Sequence, residues 1–332
     1  MFFVAIGIGL IFAYINGMHD GGTIVATSIT SHLFSPLRAI ILAGIANFCG
    51  SLLLGTTVAH TISESILDLD SVLSLSSSSI YILITASFVG SILWNIFTWV
   101  VKLPSSASHS LIGSMIGAGI FSVGVHHVLW MNIFFRVILA MLLSPLLGFI
   151  FGYLTYKAEL RMLRYGMQIW QTRIEFLHKV SSFFLAFSYG SNDAQKVMGL
   201  IFIALLPQNS SLASIPTWLI FASGVALAVG TMTGGYNMIK TVGMNICKIN
   251  IKNSFASQIA TFFVVTLANT TGLPISATQV VTSSVMGVGT ATSAKKVNWS
   301  VTSKILISWI VTIPCSAIVG AAVYQLLRIV LL

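Results

Sequence analysis

Phe187 to Leu200 reads FSYGSNDAQKVMGL and sets Asn192, Asp193, Gln195 and Lys196 inside an otherwise apolar run. An ionised carboxylate at membrane depth is costly, so such a residue normally faces a cavity or a substrate path and marks function. The same grammar occurs once earlier, in GMHDGG at Gly17 to Gly22, where His19 and Asp20 interrupt the first apolar run. One buried aspartate in each half of the chain predicts a duplicated site.

Two proline motifs supply the complementary chemistry: Pro104-Ser105-Ser106-Ala107-Ser108 and Pro274-Ile275-Ser276-Ala277-Thr278. Proline suits the first turn of a helix, and Ser or Thr there caps free amides or turns a hydroxyl to a ligand. A helix start also presents backbone N–H groups and the positive end of the macrodipole, which suits an oxyanion such as phosphate or sulfate. The alternative is a pair of ordinary capped membrane helices.

Asp20 and Asp193 do not attract an anion by themselves. Each either holds a coupling cation, Na⁺ or H⁺, or accepts a hydrogen bond from a substrate that keeps a proton. Phosphate keeps one near neutral pH and sulfate does not, so paired aspartates favour phosphate, with sulfate as the alternative. A purely structural role remains open for each, as a helix cap or as the partner of a nearby cation, Lys196 for Asp193. His19 and His109 have a side chain that ordinarily titrates near neutral pH and are candidates to move protons. Gln195, next to Asp193 and Asn192, joins the candidate ligands.

These residues need elements to hold them. Charged residues make up 7% of the 332 and hydrophobic ones 56%, against about 25% and 45–50% in soluble domains. The chain is therefore expected to be an integral membrane protein, with the lipid bilayer as its solvent. Apolar runs fall at about 2–30, 39–60, 80–101, 106–122, 132–156, 180–206, 217–239, 255–272, 275–290 and 303–330, long enough and regular enough to read as helices rather than barrel strands. The net charge of +9 is spread over short loops, which argues against nucleic acid and for topology signals. Cys49, Cys247 and Cys315 match no zinc or disulfide spacing and read as packing residues. No metal or cofactor is expected beyond the coupling ion, and His126-His127 reads as solvated. The N-terminus has no pattern of a removable signal.

The chain is internally duplicated. Leu103 to Gly119 aligns without a gap on Leu273 to Gly289, each residue 170 later, with seven of seventeen positions identical. Gly17 and Asp20 likewise match Gly190 and Asp193, 173 residues on, and Gly44 and Gly50 match Gly224 and Gly230. Counterpart loops have opposite charge. Thr61 to Ser79 carries Glu64, Asp68 and Asp70, whereas Lys240 to Asn253 carries Lys240, Lys248 and Lys252. By the positive-inside rule one lies outside and the other inside.

The expected fold is an all-α polytopic membrane protein of two inverted-topology repeats, 1–156 and 180–332, each of about five helical segments with a broken or re-entrant Pro-Ser hairpin. A basic cytoplasmic linker, 157–179, joins them. A re-entrant hairpin is favoured over two full crossings because a polar tip at membrane depth must line a cavity. Gly21 and Gly22 weaken a helix by about 1 kcal/mol each relative to alanine and predict a break in the first segment. Gly44, Gly50, Gly224 and Gly230 read as close helix contacts. Homodimers are compatible with the sequence, and no segment requires one.

The motifs GSNDAQKVMG at Gly190 to Gly199 and GMHDGGTIVATSIT at Gly17 to Thr30, with the two Pro-Ser motifs in inverted halves, resemble the PiT-type inorganic phosphate transporters over essentially the whole chain. The resemblance implies cotransport of phosphate with Na⁺ or H⁺ across the cell membrane of a bacterium or archaeon. It implies substrate and cation sites at Asp20, Ser105, Ser106, Ser108, Asn192, Asp193, Gln195, Ser276 and Thr278. The chain departs from the family at Gly21-Gly22, where Ala-Asn is usual, and at Gln279, where histidine is usual. Both positions bear on the coupled cation. An intramembrane aspartyl protease, which also needs two aspartates, and a passive anion channel are the rival readings.

Overall fold

The structure, a computed structural model, describes residues 1–332 apart from 102–104, 165–167, 210, 211, 213 and 236–238, and gives the backbone alone for 168–172. Pro104, expected at the tip of the first hairpin, therefore lies outside the described residues.

Every long element described is helical, as apolar segments must be where water cannot satisfy the backbone. The order is α1 (Phe2–Thr30), α2 (Pro36–Leu53), α3 (Thr57–Ser65), α4 (Leu69–Leu73), α5 (Ser77–Val100) and α6 (Ala107–Ser122). Then α7 (Trp130–Asn132) continues through a π turn, Ile133–Ile138, into α8 (Leu139–Arg164). The second half holds α9 (Gln168–Leu205), α10 (Thr217–Thr233), α11 (Ile251–Thr271), α12 (Ala277–Thr292) and α13 (Trp299–Leu331). Among the described residues, Phe2–Thr30, Pro36–Leu53, Ser77–Val100, Trp130–Arg164 and Trp299–Leu331 are long and apolar enough to cross a membrane. α9 is longer than any of these but carries the polar motif.

Three expectations need correction. The first segment does not break, because α1 runs unbroken through Gly21 and Gly22. A β-carbon at Gly22 would lie 1.9 Å from the Gly235 carbonyl oxygen, and one at Gly21 would lie 3.0 Å from Thr231 Cα. These glycines admit a neighbouring backbone and leave the helix intact. The run at 39–60 is two helices, α2 and α3, divided at Gly55, which has φ +81°. The basic stretch 157–179 is not a loop at its ends: α8 reaches Arg164 and α9 begins at Gln168.

Small residues set the helix contacts. A β-carbon at Gly50 of α2 would stand 1.8 Å from the Phe187 carbonyl oxygen of α9, and one at Gly230 of α10 would stand 2.0 Å from that of Tyr14 of α1. The second contact is the first with each residue replaced by its repeat counterpart. Whole helices show the same exchange: α1 packs on α10 and α9 on α2, α6 on α13 and α12 on α8, α5 on α6 and α11 on α12. Gly9 meets Ile201, and Ser28 bonds Ser182 at 2.9 Å, so α1 and α9 run antiparallel.

Two large apolar cores form among the described residues, with a small third around Tyr156, Ala256 and Val288. One gathers Phe12 of α1, Phe88 of α5, Met115 of α6 and Ile201 of α9. The other gathers Ile24 of α1, Tyr189 of α9, Val265 of α11 and Val281 of α12. Asp20 and Asp193 fall in sequence between the stretches of α1 and α9 that feed the two cores. Outside, large aliphatics such as Leu142, Ile310 and Ile318 are exposed while these polar side chains are buried, the distribution expected of a protein surrounded by lipid.

α6 and α12 are short, 16 residues each, or about 24 Å against a hydrocarbon core of about 30 Å. Their N-terminal ends meet in the protein interior. Ser106 Oγ donates to Ser276 Oγ at 2.8 Å, joining residues 170 apart that are each other's counterparts.

Candidate functional site

The two hairpin tips are built alike. Ser106 Oγ caps α6 by accepting the His109 N–H at 3.3 Å, and Ser276 Oγ caps α12 by accepting the Gln279 N–H at 3.4 Å. The N–H groups of the first residues of a helix have no intrahelical acceptor. At residues 107, 108, 277 and 278 these donors point out of two helix starts that face one another, an arrangement suited to an oxyanion. α11 hands the chain to its tip at Gly272, whose φ of +71° allows the Leu273 N–H to return to the Ala268 carbonyl at 2.9 Å.

Each aspartate is tied to the hairpin of the other half. Asp20, 2% exposed, accepts from Thr278 Oγ1 at 2.9 Å and lies 2.6 Å from His19 Nδ1. Asp193, 1% exposed, accepts from Lys196 Nζ at 2.7 Å. That ammonium also donates to Ser108 Oγ at 2.5 Å and to the Ile275 carbonyl at 2.7 Å. Asn16 interacts with Asp193, and Tyr189 with Asp20 and, at 3.0 Å, with Thr278 Oγ1. Asn16 and Tyr189 are counterparts under the same 173-residue shift as the aspartates.

The remaining expected residues divide. Asn192 is fully buried and donates to Asn269 Oδ1 at 2.6 Å, while its own Oδ1 has no partner among the described residues. Ser105 Oγ pairs with Thr98 Oγ1 at 2.7 Å, behind the tip. Gln195 faces elsewhere: Oε1 accepts the Val58 N–H of α3 at 2.8 Å, and Nε2 donates to Ser191 Oγ at 2.7 Å. His109 lies 3.3 Å from the Trp309 carbonyl and 3.4 Å from its counterpart Gln279, without a bond to either aspartate.

Sequence reasoning did not place Tyr189, Asn269, Asn16 or Thr23 near the site, and treated Lys196 only as a neighbour of Asp193. Asn16 and Thr23 flank Asp20 at helical spacings of four and three residues, a signal for a shared helix face. Tyr189 lies four residues before Asp193, the same signal. Asn269 had none, since it reaches the site from another helix.

Chemically the cluster holds two carboxylates, one ammonium and two helix starts. It offers donors to an anion and oxygen ligands to a small cation, and it excludes bulk water. A family profile described as the phosphate transporter family matches residues 16–320. The chain belongs to that family. A Bacillus subtilis (strain 168) protein named "Probable low-affinity inorganic phosphate transporter" is 36% identical over 97% of this chain and 95% of the relative. A Rhizobium meliloti (strain 1021) protein of the same name is 31% identical over 96% and 94%. In fold, the chain is similar to a solved structure titled "The sodium-dependent phosphate transporter", with a TM-score of 0.87 over 99% of both chains at 22% identity. The family is one of membrane transporters, so the paired aspartates belong to a permease and the protease alternative falls away.

Proposed function

We propose that the chain imports inorganic phosphate together with a coupled cation, Na⁺ or H⁺, by alternating access of two inverted repeats in the cell membrane. The observation that carries this reading is the joining of Ser106 to Ser276, with Asp20 bonded to the opposite hairpin at Thr278 and Asp193 linked to the opposite hairpin through Lys196 and Ser108. An anion held between the two tips touches both halves at once. Rocking one half against the other then exposes it to either face. The exchanged helix contacts and the antiparallel run of α1 against α9 support the inverted relation.

Binding order follows from charge. A lone anion entering beside Asp20 meets a carboxylate, and a cation at Asp20 relieves that repulsion. Each ligand then raises the affinity of the other by the same factor. Phosphate suits the site better than sulfate because a protonated phosphate oxygen can donate to a carboxylate. Ser276 and the backbone of the two tips are assigned to the anion, Asp20 to the cation, and the hydroxyls of Ser108 and Thr278 to the boundary between them.

The test is uptake of radiolabelled phosphate into proteoliposomes under an imposed Na⁺ gradient, an imposed H⁺ gradient or neither, with sulfate as competitor. Accumulation driven by one gradient and lost in Asp20→Asn is expected. Accumulation of sulfate in place of phosphate would reject the substrate assignment, and accumulation without either gradient would reject coupling.

A further inference from the structure

The two halves are not equal at their aspartates, and the difference lies three residues further on. Asp193 is followed by Lys196, and the counterpart of Lys196 after Asp20 is Thr23. The Lys196 ammonium is 2% exposed and sits among a carboxylate oxygen at 2.7 Å, a hydroxyl oxygen at 2.5 Å and a backbone carbonyl at 2.7 Å. Those are the oxygen types that hold a small hard cation, and the carbonyl belongs to Ile275 in the unwound turn before α12. All three N–H bonds that an ammonium possesses are used on these three acceptors. None is left for an anion.

The first half has the repeat counterparts of these ligands and no ammonium. Asp20 is bonded to Thr278, the counterpart of Ser108, and Ser105 supplies the backbone position equivalent to Ile275. Thr23 is fully buried and its hydroxyl has no hydrogen-bond partner among the described residues. The Oδ1 of Asn16, one turn before Asp20 and 3% exposed, has none either. A buried hydroxyl and a buried amide oxygen flanking a buried carboxylate on one helix face mark a place for a cation.

We propose that the Lys196 ammonium is a tethered cation that permanently fills one of two equivalent cation positions, so that coupling runs through a single free cation at Asp20. The proposal rests on the cotransport reading, and its test separates the two. Phosphate uptake is measured against Na⁺ concentration for the wild-type chain, for Lys196→Thr, which copies Thr23, and for Thr23→Lys, which brings an ammonium to Asp20. Lys196→Thr opens the second position, so its Hill coefficient for Na⁺ rises by about one over the wild type. Thr23→Lys fills the first position, and uptake stops responding to whichever gradient drives the wild type.

Equilibrium binding of radiolabelled phosphate in detergent, with and without Na⁺, covers a variant that folds but does not cycle. There Na⁺ strengthens phosphate binding to Lys196→Thr about 10-fold more than to the wild type. An unchanged Na⁺ response with phosphate affinity lowered at every Na⁺ concentration would overturn the proposal and make Lys196 a substrate ligand. If Lys196→Thr cannot be purified, Thr23→Lys decides, and a wild-type gradient response in that variant rejects the idea. A wild-type chain that neither binds nor accumulates phosphate rejects the transport reading, and this proposal with it.

Discussion

Asp193 and Asp20 differ in what their loss leaves behind. Replacing Asp193 with asparagine strands the buried Lys196 ammonium, and an uncompensated buried charge costs about 3–5 kcal/mol. Replacing Asp20 strands no lysine, because its partners are His19 and Thr278. Asp193→Asn is therefore expected to lower the thermal unfolding midpoint in detergent clearly more than Asp20→Asn. Equal midpoints would show that the Lys196 pair contributes little. Gln195 makes the opposite case. Its side chain holds the Val58 N–H at the start of α3, so Gln195→Ala should cost about 1–3 kcal/mol of stability by orphaning that donor. Phosphate affinity measured on the folded fraction should not change. Gln195 lies two residues from Asp193, and on a helix residues two apart point in different directions.

Among the elements, the short arms α6 and α12 and the glycine-lined contacts of α1, α2, α9 and α10 decide where the site lies. Gly50 and Gly230 are in ordinary helical backbone, where alanine is better by about 1 kcal/mol on propensity. Packing outweighs that gain, since a β-carbon at either position would overlap a carbonyl of the crossing helix. Gly50→Ala and Gly230→Ala are each expected to destabilise by about 1–3 kcal/mol. Thermal unfolding checks this, and stabilisation by either change would mean that the helices stand further apart. The sequence reading took these two glycines as close contacts but took Gly21 and Gly22 as a break. Gly21 and Gly22 form an adjacent pair after Asp20, whereas Gly50 and Gly230 stand singly in apolar runs. In the folded chain all four meet a neighbouring backbone, Gly235 and Thr231, more than 200 residues away, filling the space beside Gly21 and Gly22.

At the scale of the molecule, the proposed inverted arrangement makes a claim about sides of a membrane. In a chain lacking Cys49, Cys247 and Cys315, a single cysteine at Asp70 should react with an impermeant maleimide on intact cells. One at Lys248 should react only after permeabilisation. Labelling of both from the same side would end the inverted-repeat reading.

By itself the sequence determined the membrane class, the helical architecture, the duplication, the two aspartates and the two Pro-Ser tips. These are legible because the cost of burying charge, the length of an apolar run and the spacing of a repeated motif are properties of consecutive residues. Only the tertiary structure decided which hairpin each aspartate is linked to, that Lys196 joins Asp193 to Ser108 while Gln195 accepts the Val58 N–H, and that α1 stays whole. Those outcomes depend on groups brought together from distant positions, Lys196 with Ser108 at a separation of 88 residues and Thr278 with Asp20 at 258. Long-range packing chooses among partners that local chemistry leaves equivalent.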